Sequence, residues 1–133
     1  MTRHEHIDDP SLAALVELFY TRVRTDDLIG PLFNDAIGDW PHHLDKLTAF
    51  WSSVMLTSGR YKGQPVPAHL RHRARITPPM FARWLALWRV TTAELFAAPA
   101  AAALQAKAER IAESLGLALH FTIAPSPADR ASA

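Results

Sequence analysis

Asp39-Trp40-Pro41-His42-His43-Leu44-Asp45-Lys46-Leu47-Thr48-Ala49-Phe50-Trp51-Ser52-Ser53-Val54-Met55-Leu56 is the stretch on which the fold turns. Trp40, Leu44, Leu47, Phe50, Trp51, Val54 and Met55 recur at helical spacing and share one wide apolar face. Asp39-Trp40-Pro41 is a helix opening, with a proline in the first turn, where its missing N–H costs nothing. His43 interrupts the apolar face and points inward or along its edge. His42, about 100° further round the helix, is directed to solvent.

The same reading extends in both directions. Towards the N-terminus, Asp9-Pro10 opens a helix whose apolar side is Leu12, Leu15, Val16, Phe19 and Val23. Tyr20 lies beside Phe19 and one turn after Val16, so its hydroxyl enters the core and needs a partner. Gly30-Pro31 marks a turn before Leu32 and Phe33, and residues 34–38 read as a connector. Beyond the central helix, residues 57–65 form a loop with two glycines, followed by Val66-Pro67-Ala68-His69-Leu70-Arg71-His72, too short and proline-rich for a long helix. Thr77-Pro78-Pro79 opens a third long helix with a threonine cap and a proline in the first turn, and Phe81, Trp84, Leu85, Trp88, Thr92 and Leu95 lie on its face. Pro99 separates it from a last stripe of Leu104, Ala108, Ile111, Leu115 and Leu119. No stretch reads as a strand. The expectation is an all-α domain over residues 9–123, with a flexible polar lead-in over 1–8 and a disordered tail over 124–133.

Composition narrows the function classes. A chain of 133 residues, 49% hydrophobic, can build one core. No uncharged apolar run approaches the roughly 18 residues of a membrane span, and Met1-Thr2-Arg3-His4-Glu5-His6 lacks the apolar centre of a signal peptide. Cysteine is absent, which excludes disulfides and thiolate chemistry and suits the cytoplasm. A net charge of +1, with both signs dispersed, gives no nucleic-acid footprint.

His69 sits between two long amphipathic helices, and a neutral imidazole is both the commonest metal ligand and the usual proximal ligand of haem iron. His72 follows three residues later. Taken alone, these residues leave several readings open. One is a surface histidine in a loop. A second is a divalent metal site drawn from His42, His43, His69 and His72, although no carboxylate or cysteine completes a familiar ligand spacing. A third is a haem-free helical interaction module.

The order of certain pieces goes further. Phe19-Tyr20, then Phe50-Trp51-Ser52-Ser53-Val54-Met55-Leu56, then Arg60-Tyr61-Lys62-Gly63-Gln64-Pro65, then Ala68-His69-Leu70, and finally Phe81-Ala82-Arg83-Trp84-Leu85-Ala86-Leu87 together resemble the truncated haemoglobins, in their bacterial group III branch. The resemblance spans roughly residues 9 to 122. It implies a two-over-two helical sandwich around one haem b. In that scheme His69 is the proximal iron ligand, and Tyr20, His43 and Trp84 are the distal donors to O2, NO or CO. Phe19, Phe33, Leu47, Phe50, Trp51, Leu70, Ile76 and Phe81 form the apolar wall, with His72 beside them. Lys46, Arg71 or Arg73, and Tyr61 are the candidates for the haem propionates. Phenol, indole and imidazole are all hydrogen-bond donors, which suits a polar diatomic ligand in an apolar cavity. Tight retention suits redox chemistry, either nitric oxide dioxygenation or peroxidase-like turnover, more than transport. The sequence carries no reductase domain, so turnover requires an external electron-donor protein.

Overall fold

The structure, a computed structural model, describes residues 3–63 and 74–120. Five helices account for most of them: α1 (Asp9–Thr25), α2 (Gly30–Ala36), α3 (Trp40–Leu56), α4 (Pro78–Leu95) and α5 (Ala98–His120). Helix α1 lies against α2, α3 and α4, and α4 lies against α5. The pairs α1–α3 and α4–α5 thus form the two halves of a helical sandwich, joined where α1 packs on α4.

Each start has a local cause. The α1 cap is Asp8, one residue ahead of the carboxylate expected from Asp9-Pro10. Its side chain accepts the Ser11 N–H at 2.9 Å, while the Asp8 N–H donates to Ser11 Oγ at 2.9 Å, a reciprocal capping box. Asp9 is freed to pair with Arg60 at 2.7 Å. Asp39 caps α3, accepting the His42 N–H at 3.1 Å. Thr77 flanks α4 without a side-chain capping bond. Pro78 and Pro79 have no N–H, so fewer orphan donors remain there for a hydroxyl to satisfy.

Two segments differ from the expectation. Gly30-Pro31 is the first turn of α2 rather than a simple turn, because proline suits the start of a helix. Residues 3–8, expected to be loose, are held at the α4–α5 junction. The His4 N–H donates to the Leu95 carbonyl and the Ala97 N–H to the His4 carbonyl, both at 2.8 Å, and Arg3 Nε donates to the Ala93 carbonyl at 2.9 Å. Backbone pairing of this kind is indifferent to side-chain polarity, so polarity could not disclose it.

The core is aromatic where the helix pairs meet. Phe19 meets Trp84 edge-on at 5.6 Å and Trp88 at 4.9 Å, and Trp51 stacks on Trp88 at 4.3 Å and 20°. Trp88 Nε1 donates to the Leu104 carbonyl at 3.1 Å, giving its buried N–H a partner on α5. Leu12, Leu15, Val16, Val23, Ile29, Leu104 and Ala108 complete the centre. Burying each large side chain contributes about 1.5–3 kcal/mol.

Asp26 joins three elements just beyond α1. Its carboxylate accepts the N–H of Leu28 at 3.0 Å and of Ile29 at 3.1 Å, and Arg83 Nε of α4 donates to it at 2.7 Å. Burial alone would raise this carboxyl. The Ile29 N–H, the Arg83 guanidinium and the Leu28 N–H outweigh burial and hold it below the ordinary value.

Candidate functional site

Tyr20 is 4% exposed on the inner side of α1. Its ring lies 5.8 Å from that of Phe33 on α2 and 6.1 Å from that of Trp40 on α3. Burial pushes its hydroxyl up to about 12, and a hydrogen bond from the Trp84 indole opposes that rise. At neutral pH the phenol therefore keeps its proton. An indole N–H can only donate, so the phenol's own O–H is the proton this pair can give to a third partner.

Trp84 enters from α4, half-buried and nearly parallel to Trp88, with 5.8 Å between centroids and 5° between planes. His43 enters from the first turns of α3, half-buried, its ring edge-on to Trp40 at 5.9 Å. His42 is exposed, as its angular position requires. The structure thus links Tyr20 to His43 through Trp40, while the Trp84 indole acts on the Tyr20 hydroxyl. Trp40 was legible only as one apolar residue among several, although it stands one turn ahead of His43.

The apolar wall divides in two. Phe33, Leu47 and Phe50 are half-buried, and Phe81 is half-buried against the Leu32–Ile76 contact. Trp51 is 1% exposed and lies within the core on Trp88. Tyr61 is half-buried and edge-on to Phe50 at 5.2 Å, and its backbone N–H donates to Ser53 Oγ at 2.8 Å. Burial raises its hydroxyl as well. Lys46 is exposed on α3. His69, Leu70, Arg71, His72 and Arg73 lie outside the described residues, as does the expected tail over 124–133.

The residues fit a flat apolar group with one polar ligand face. Leu44, Leu47, Phe50 and Val54 on α3, and Met80, Phe81 and Leu85 on α4, are only partly buried although they line the core-facing stripes. Beside them stand a phenol and an indole from two other positions in the sandwich. Among the described residues no group of three or more histidine or acidic side chains is placed to hold a metal ion, and no helix is long and apolar enough to cross a membrane.

Comparison with known proteins agrees with this arrangement. No family model matches the sequence. Over 90 residues, 65% of this chain and 67% of its relative, the sequence is 38% identical to the group 3 truncated hemoglobin ctb of Campylobacter jejuni. The crystal structure of group III truncated hemoglobin from Campylobacter jejuni matches with a TM-score of 0.82 and 30% identity, covering 92% of this chain and 100% of that one. This arrangement of helices is that of a truncated globin. The chain belongs to the group III truncated haemoglobins. Membership implies a haem cofactor and small diatomic ligands.

Proposed function

We propose that this chain binds haem b with His69 as axial ligand and retains O2, NO or CO against Tyr20, for redox chemistry rather than transport. The observation that supports it is the meeting of the Tyr20 phenol and the Trp84 indole, from different helices, beside apolar stripes of α3 and α4 that are only partly covered. Haem iron would supply reversible diatomic binding and one-electron chemistry. Tyr20, kept protonated by burial, donates to the ligand, and the indole at its oxygen strengthens it as a donor through cooperative polarisation. His43 borders the way in. Phe33, Leu47, Phe50, Phe81 and Leu70 exclude water. Lys46, Tyr61 and Arg71 are the groups to meet the haem carboxylates, with His72 near them. A ligand held this firmly favours nitric oxide dioxygenation or peroxidase-like turnover, with electrons from an external donor protein.

The test is an absorption spectrum with haem quantified per chain, on wild type, His69→Ala and His72→Ala. A Soret band from one haem per chain is expected in wild type and His72→Ala. His69→Ala should lose most of its haem and melt lower. Linkage alone accounts for about 4 kcal/mol when haem is a thousandfold above its dissociation constant. A colourless wild type, or a normal spectrum in His69→Ala alongside haem loss in His72→Ala, overturns the reading. Nitric oxide consumption measured beside O2 release then separates turnover from transport.

A further inference from the structure

We infer that Arg24 and Trp40 are positioning residues that set where the His43 imidazole stands at the entrance to the ligand space. The inference rests on the haem-globin reading above. Trp40 is the first residue of α3 and 9% exposed. Its indole lies 5.9 Å from the His43 ring, edge-on at 84°, and 6.1 Å from the Tyr20 ring. Among the described residues it is the aromatic whose ring meets both of these polar side chains. The guanidinium carbon of Arg24 sits 4.6 Å from the centroid of the same indole.

Arg24 is well founded for that task. It lies in the last turn of α1, where a cation is favoured by the helix dipole. Its carbonyl accepts a hydrogen bond from Asn34 Nδ2 of α2 at 3.0 Å, so the backbone from which the guanidinium reaches is tied to the next helix. Arg22, one turn-face away, is engaged elsewhere, donating to Thr91 Oγ1 at 3.0 Å and to Glu94 at 2.6 Å on α4. The two arginines of this turn therefore hold different partners. Arg22 ties α1 to α4, and Arg24 holds the indole that begins α3.

A guanidinium over an indole is attracted by the ring quadrupole, and its planar shape restrains the ring. Trp40 and His43 are three residues apart and share a helix face, so a restrained indole gives the imidazole a fixed wall. A loosened indole lets the imidazole swing and the ligand arrive faster. The same imidazole stands on the way out, so entry and release speed up together while the bond to Tyr20, and with it the affinity, is kept.

The test uses purified holoprotein of wild type, Arg24→Met, Arg24→Lys and Trp40→Phe. Arg24→Met keeps the aliphatic stem and removes the planar cation. Carbon monoxide association, by flash photolysis, should rise about two- to fivefold in Arg24→Met, the range that one exposed cation–π contact carries. Arg24→Lys should fall between it and wild type, and Trp40→Phe should rise at least as far as Arg24→Met. Dissociation should rise by the same factor, leaving the ligand affinities and the Soret band as in wild type. A readout independent of ligand kinetics is the ring-current shift of the His43 imidazole C–H resonances in the carbon-monoxide-saturated protein, which should move in Arg24→Met and Trp40→Phe. A normal Soret band with unmoved association rates and unmoved His43 shifts overturns this inference alone. A rise in dissociation with association unmoved would mark lost ligand bonding rather than a looser gate and overturn it too. A wild type without a Soret band overturns the haem reading and this inference with it.

Discussion

The indole of Trp84, in α4, acts on the buried phenol of Tyr20, in α1, and opposes the rise that burial gives its hydroxyl. On the proposed haem reading the two residues act in series on a bound ligand rather than side by side. Tyr20→Phe should speed O2 release by roughly one to two decades, the effect of losing about 1–3 kcal/mol of hydrogen bonding. Trp84→Phe should act in the same direction and less strongly, through a weaker phenol donor. The double variant should then release O2 hardly faster than Tyr20→Phe alone. Carbon monoxide, a less polar ligand, should respond less to all three. Stopped-flow displacement on the four proteins measures this, and additive effects of the two substitutions would show independent donors.

Alkaline stability follows from the same phenol. Burial, opposed by the indole bond, raises the Tyr20 hydroxyl to about 12 from the ordinary value of 10.0. A raised value means that the unfolded chain ionises first. The contribution is complete below about pH 10 and is lost as pH rises through about 12. The loss is on the order of 2 kcal/mol. Thermal melts of wild type and Tyr20→Phe between pH 9 and 12 should converge as pH rises, and parallel curves would contradict the linkage.

Asp26 gives the opposite sign at acid pH. Its carboxyl is held below the ordinary carboxylate value despite burial, by the Ile29 N–H, Arg83 and the Leu28 N–H. Its contribution is present above the unfolded value and is lost as pH falls through the lower folded one. Asp26→Asn should destabilise by about 1–3 kcal/mol at neutral pH. Arg83 is half-exposed, so solvent screening keeps its share of that small. Chemical denaturation of both proteins at pH 7 and at pH 3 should show the difference shrinking in acid.

Gly30 is required by a close approach of backbone to backbone. A Cβ there would stand 2.9 Å from the Arg24 carbonyl oxygen and 3.1 Å from that of Val23. Alanine would gain about 1 kcal/mol of helix propensity, while forcing α1 and α2 apart costs typically 1–3 kcal/mol. Because the obstructing atoms are backbone, Gly30→Ala should lower the melting temperature. A rise would mean that the α1–α2 corner yields freely.

Helical periodicity made the inward faces of α1, α3, α4 and α5 legible, because a repeat of 3.6 residues is a local property of the chain. The same angular argument separated His42 from His43. Residue order alone also carried the family resemblance that assigned roles to Tyr20, His43 and Trp84. Other features needed the tertiary structure. Arg24 gave no sign in sequence that it would lie over Trp40, and nothing around Asp26 announced Arg83 as its partner. Lead-in residues 3–8 looked loose because their attachment is made by backbone groups that every residue type carries. The α2 helix looked like a turn because proline marks both. The influence of Trp84 on Tyr20 also depended on folding. Polar interactions are short-ranged and directional, and only the packing of α1 against α4 brings residues 64 positions apart close enough to act on each other.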